Sequence, residues 1–392
     1  MDQFIQYTPT EVVFGKETEN QAGAEVKKWG GTKVLVVYGG GSAKRSGLLD
    51  RVEASLAKEG LAFEELGGVK PNPRLALAEE GVKKAVEMQA DFILAVGGGS
   101  SIDTAKAVAH GAANPEEALW DIWTKKVPLT KSLPVGAVLT IPAAGSEMSD
   151  SAVLTNEAIG KKAGINTPFN RCKFAIMNPE LLYTLPPYQM ACGNVDMIMH
   201  VLERFFNPNA EDDLTDSMAA ALIRNVIKNA RIVKENPKDY NANFEIMWAG
   251  SLAHNGLFDG GNGRGDWGTH HIEMEVSGLF DVAHGAGLAA IWPSWARYVL
   301  HKDVGRFAKL ARLVFDVQTE DEEAAALEGI AKMEAFFKEI DMPTSLTELG
   351  IQPTEEQYWD MAKKCTKRDM VKEGCFGQLT SADIYKIYKM AE

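Results

Sequence analysis

The chain has 392 residues, of which 45% are hydrophobic and 24% charged, enough apolar material for two cores beneath an ordinary surface. Its formal net charge of −13 excludes nucleic acid and anionic lipid as main partners, because both need a basic surface. Cys172, Cys192, Cys365 and Cys375 form no C-x-x-C pair, which excludes a disulfide framework and leaves them as expected free thiols.

The first ten residues, MDQFIQYTPT, lack a basic region followed by an apolar run, and no stretch is apolar for long enough to span a bilayer. The expected compartment is the cytoplasm. Lys33–Tyr38 (KVLVVY) is predicted as a strand ending in glycines, and Leu48–Lys58 as a helix. Pro71–Pro73 marks a turn before a helix over Leu75–Gln89. Asp91–Val96 (DFILAV) is a second strand ending in glycines, and Val135–Ile141 a third. Near-continuous apolar strands between helices indicate a parallel sheet covered on both faces. Beyond Leu185-Pro186-Pro187 helical patterns dominate, over Leu214–Glu235, Phe244–His254, Val304–Phe315 and Asp321–Ile340. The expected architecture is therefore a Rossmann-like α/β dinucleotide-binding domain over 1–188 and an all-helical domain over 189–392.

Small residues follow all three strands: Gly39-Gly40-Gly41-Ser42 with Lys44, Gly97-Gly98-Gly99-Ser100, and Thr140 leading to Gly145-Ser146. Ligands of open α/β sheets bind beyond the carboxyl ends of strands, where glycines let backbone approach a pyrophosphate and a helix start attracts its charge. None of the runs matches G-x-G-x-x-G or the P-loop pattern. They read as a dinucleotide or phosphate site of unusual form.

Asp196 and His200 stand at i and i+4, on one face of an apolar helix. A buried acid beside an imidazole calls for a metal or for a structural hydrogen bond. His270 and His284 are 14 residues apart, roughly 21 Å along one straight helix. Ser277-Gly278 between them suggests a helix, a turn and a second helix, which would let all three segments converge. One carboxylate and three imidazoles suit Zn²⁺ or Fe²⁺. His110, His254 and His301 read as solitary structural or surface residues. Trp248, Leu252, Leu257, Phe258 and Trp267 surround these motifs and suit a weakly polar substrate.

With these residues the chain resembles the iron-containing (group III) alcohol dehydrogenase family, in particular its NADP-dependent butanol dehydrogenase branch. The likeness rests on the GGGSSID-x-x-K run at Gly97–Lys106, P-A-x-G-S-E at Pro142–Glu147, T-L-P-P at Thr184–Pro187, the Asp196/His200 pair and the GNGRGDW-x-TH…H run at Gly261–His284. The resemblance implies metal ligands at Asp196, His200, His270 and His284. It places Gly98, Gly99 and Ser100 at the pyrophosphate, and Asp103, Thr140 and Lys162 near the cofactor. It also implies a homodimer that exchanges hydride between NADP(H) and a small alcohol or aldehyde. Met274 stands where many members carry a second histidine, and Ala144 where threonine is more usual. No side-chain acid or base is therefore assigned, and catalysis is expected to centre on the metal.

Overall fold

The computed structural model describes residues 3–208, 213–261 and 265–392, so Asn262, Gly263 and Arg264 of the glycine-rich motif lie outside the described residues. The chain divides into two compact units, Tyr7–Leu185 and Pro186–Glu392, the second including the segment up to Gln6. The division thus falls just before the expected 188, and the N-terminal tip goes with the helical unit. Its contact there is local: the Phe4 ring covers Gly260, leaving 3.4 Å to where a Cβ would stand.

The first unit holds eight strands: β1 (Glu11–Phe14), β2 (Lys33–Gly39), β3 (Ala62–Val69), β4 (Phe92–Gly97), β5 (Val135–Leu139), β6 (Ser151–Asn156), β7 (Lys161–Asn166) and β8 (Phe174–Met177). Six of them form one sheet in the order β1-β8-β5-β4-β2-β3, with every pairing parallel. β6 and β7 make a separate antiparallel hairpin. β4 is buried along its whole length, as its uninterrupted apolar run requires of a strand covered on both faces. Its Phe92 ring stacks on Phe174 of β8 at 5.9 Å, inside a core shared by Val34, Val36, Leu94, Val96 and Ile176.

The second unit is built of helices, and among its described residues no strand occurs beyond one isolated bridge between Glu373 and Leu379. Helix ends carry the expected signals. Thr354 and Thr380 form capping boxes with Gln357 and Asp383, and Asp239 caps the Tyr240–His254 helix. A buried Arg306–Asp216 pair at 2.5 Å ties Val304–Phe315 to Asp213–Glu235. No helix among the described residues is long and apolar enough to cross a membrane.

Candidate active site

Three helices of the second unit supply the acid and the histidines. Pro187–Phe205 carries Asp196, His200 and Glu203 at i, i+4 and i+7, so all three share one face. Gly268–Phe280 carries His270 and Glu273, and His284 opens the helix His284–Val299. The chain turns at Asp281–Ala283, a few residues after the expected Ser277-Gly278.

Ligand-type atoms of Asp196, His270 and His284 lie within 4.8 Å of one another. Asp196 Oδ1 is 3.7 Å from His270 Nε2 and 3.8 Å from His284 Nε2. His200 sits beside this trio, its Nδ1 3.5 Å from the same Oδ1 and its ring 4.8 Å from that of His270. Tetrahedral ligands at about 2.1 Å from a metal stand about 3.4 Å apart, close to these spacings. Asp196 Oδ1, His200 Nδ1 and His270 Nε2 are all buried with no hydrogen-bond partner among the described residues. Buried polar atoms are rarely left so, and a divalent cation satisfies all three at once. The donor set therefore fits a resident metal.

Two carboxylates support the imidazoles from behind. Glu203 Oε1 accepts from His270 Nδ1 at 2.8 Å and from the His270 backbone N–H at 2.9 Å. Glu273 Oε2 pairs with His284 Nδ1. Each bond holds Nδ1 as the donor and turns Nε2 toward Asp196. Burial raises the Asp196 carboxyl, but His200, His270 and His284 outweigh it and hold it well below the usual carboxylate range. Burial lowers His270 too, yet Asp196 and Glu203 push it up to about 9. Burial drives His200 the other way, well below an ordinary imidazole.

His254 departs from its solitary reading: its ring packs on His200 at 4.1 Å between centroids. The Tyr240–His254 helix ends there, a long-range contact that its own flanking residues do not announce. His110 is a buried structural residue, bonded to Ser132 and Asn170 at 2.8 Å each, and His301 is exposed. His271 pairs with Glu373. Glu203 and Glu273 carry the largest roles that sequence reasoning missed. The signal for Glu203 was its i+7 spacing from Asp196.

In the first unit the register pairs Tyr38 with Val96 and Gly97 with Leu139. The carboxyl ends of β2, β4 and β5 thus lie side by side, and Thr140 N–H donates to the Gly97 carbonyl at 3.0 Å. Gly39–Ser42, Gly97–Ser100 and Thr140 share one sheet edge. The Gly99–Ala113 helix begins there, with Ser101 and Ile102 N–H directed at the Gly98 carbonyl. A Cβ at Gly98 would press on Ile141 at 2.8 Å, whereas nothing lies within 4 Å of one at Gly40. A helix start beside these glycines is the kind of cradle that takes a phosphate group.

Asp103 and Ser146 are buried parts of the frame beneath that edge. Ser146 Oγ donates to Asp103 Oδ1 at 2.5 Å, and Val153 N–H donates to Asp103 Oδ2 at 2.9 Å. Lys106, wholly buried, donates to the carbonyls of Ser146 and Ser151 at 2.7 and 2.8 Å. Lys162 donates to Asn72 Oδ1 at 3.1 Å, beside the Pro71–Pro73 turn. Lys44 lies 2.7 Å from Glu65 Oε2, which also accepts from the Tyr38 hydroxyl at 2.7 Å.

Two family profiles match the chain: iron-containing alcohol dehydrogenase over residues 9–179, and the C-terminal part of the Fe-containing alcohol dehydrogenase family over 190–392. It is 42% identical over 353 residues to the probable NADH-dependent butanol dehydrogenase 2 of Bacillus subtilis, covering 90% of each chain. It is 30% identical to the NADPH-dependent aldehyde reductase YqhD of Escherichia coli, covering 100% of both. Its fold superposes on the crystal structure of NADH-dependent butanol dehydrogenase A from Thermotoga maritima with a TM-score of 0.95 at 37% identity, over 100% of this chain and 99% of that one.

Proposed function

The chain belongs to the iron-containing alcohol dehydrogenase family, and we propose that it moves hydride between NADP(H) and a small primary alcohol or aldehyde of the butanol/butanal kind. One divalent metal is held by Asp196, His200, His270 and His284. The observation that carries this reading is the set of partnerless buried atoms converging on Asp196 Oδ1. The donor set suits Fe²⁺ or Zn²⁺, and the family's description favours iron.

When bound, the metal supplies a Lewis acid for the substrate oxygen and the nicotinamide supplies the hydride. Asp196 contributes the one negative charge of the ligand set. Glu203 and Glu273 keep His270 and His284 aimed. Met274 cannot move a proton at neutral pH, so this position supplies no acid or base. Gly39–Ser42, Gly97–Ser100 and Thr140 bind the dinucleotide, while Asp103, Ser146 and Lys162 brace or flank that edge. Resemblance to the family supports a homodimer as the assembly.

The NADP(H) preference rests on open backbone at Gly40 and the Ser42 hydroxyl, both suited to a 2′-phosphate, with Lys44 following. A second reading, NADH, is favoured by the Lys44–Glu65 pair, which neutralises that cation, and by the cofactor named for the Bacillus relative.

Butanal reduction by chelator-stripped protein, reloaded with Fe²⁺ or Zn²⁺, tests the assignment. Turnover should return with metal, fail in His270→Ala, and show the higher kcat/KM with NADPH. Turnover indifferent to both chelator and His270→Ala would remove the metal reading. A higher kcat/KM with NADH would select the second cofactor.

A further inference from the structure

Trp267 sits in a left-handed backbone conformation, φ 62 and ψ 8. The other described non-glycine residues with positive φ are Glu, Asn, Gln, Lys, Asp and Arg, so Trp267 is the one aromatic among them. Bulky side chains avoid this region, and such outliers persist where the surroundings over-determine them, typically at functional sites.

Its surroundings are the candidate ligands. The Trp267 ring lies 5.1 Å from His270, 6.0 Å from His200 and 5.5 Å from His254, edge-on to each. The Arg204 guanidinium stands 4.8 Å over the indole. Arg204 is itself fixed, donating to the His200 carbonyl at 2.9 Å and to Asp259 at 2.6 Å. The Trp267 carbonyl accepts from His271 N–H at 3.0 Å, opening the helix that carries His270.

We propose that Trp267 is a positioning residue for the metal ligands. The left-handed turn folds the indole back against the helix it starts, so one rigid plate sets the faces of His200 and His270. Arg204 clamps the plate through its cation–π contact, and His254 closes the remaining side. The inference rests on the proposed ligand set. A ring that merely filled space would affect folding but not the metal.

Co²⁺-loaded protein tests this, with metal release to excess chelator and the visible Co²⁺ bands as readouts. Trp267→Ala and Trp267→Gly should release Co²⁺ at least about tenfold faster, with altered bands, as loss of supporting partners does elsewhere. Glycine takes this φ without strain, so Trp267→Gly decides the matter if Trp267→Ala does not fold. Wild-type release with wild-type bands would overturn the proposal. His270→Ala separates the two failures. If it takes up no Co²⁺ while the Trp267 variants behave as wild type, only the role of Trp267 falls. If it binds Co²⁺ normally, the ligand set falls and the proposal with it.

Discussion

Glu203 reaches the candidate metal centre only through His270, yet it accepts both the ring and the backbone N–H of that residue. Glu203→Gln keeps the shape but loses the charge that favours a Nδ1–H donor. Metal affinity, measured by chelator competition, should fall about 10–100-fold while the chain stays folded. Unchanged affinity would remove Glu203 from the support of the site. His110 makes a different prediction, about pH. Its Nε2 donates to Asn170 Oδ1, whose amide nitrogen is already committed to the carbonyls of Asp150 and Ile165. Burial lowers its pKa from 6.5 to about 4. Between those values the unfolded chain binds the extra proton and the folded chain does not, so stability falls as pH drops from 6.5 toward 4. The loss amounts to at most about 3 kcal/mol at 1.36 kcal/mol per pKa unit. Urea melts across that window should show the slope, and His110→Gln should flatten it. The four candidate ligands were legible because their residue types and spacings are rare together. Glu273 and His254 were not, because each acts through a partner that only the folded chain brings near, and Glu203 carried no signal beyond its i+7 spacing from Asp196.

At the scale of elements the site depends on how closely two helices approach. A Cβ at Gly285 would overlap the Cys192 carbonyl of the Pro187–Phe205 helix. That contact lies next to His284 and one turn before Asp196, so it sets their separation. Gly285→Ala should destabilise the protein by about 1–3 kcal/mol through overpacking and lower its metal content as well. Gly278→Ala is the control. It lies on an exposed helix position with nothing within 4 Å, and it should leave metal content unchanged and slightly raise stability. Thermal melts and metal analysis of both variants would check this, and a metal-replete Gly285→Ala chain would break the link between helix approach and ligation. The same scale explains which elements the sequence revealed. β2, β4 and β5 have long apolar runs that only a doubly covered strand tolerates. β1 and β8 are four residues each and are defined chiefly by the partners they meet. β3 carries Glu64, Glu65, Gly67 and Gly68 at the sheet edge, where neither alternation nor apolar content marks a strand. The β6–β7 hairpin was hidden for another reason. It hangs on the frame of Asp103 and Lys106, whose polar residues look, in sequence, like part of the phosphate run.

Across the whole molecule the two ligand sets are drawn from different units. Every glycine-run residue belongs to Tyr7–Leu185, and Asp196, His200, His270 and His284 all belong to Pro186–Glu392. Each set is braced within its own unit: Lys106 and Asp103 under the sheet edge, Glu203 and Glu273 behind the histidines. Among the described residues, the hydrogen bonds given above for the cradle run within its own unit and involve no metal ligand. Removing the metal should therefore abolish turnover without disturbing the cradle. Groups that share no partner usually perturb each other by no more than about 0.5 kcal/mol, roughly twofold in affinity. NADPH titrations followed by nicotinamide fluorescence should give the same Kd, within about twofold, for metal-loaded protein, chelator-stripped protein and His270→Ala. Ser42→Asp should do the reverse under the NADP(H) proposal, weakening NADPH by placing a carboxylate at the proposed 2′-phosphate position, while leaving metal content intact. A metal-free protein that loses NADPH affinity tenfold or more would overturn this independence.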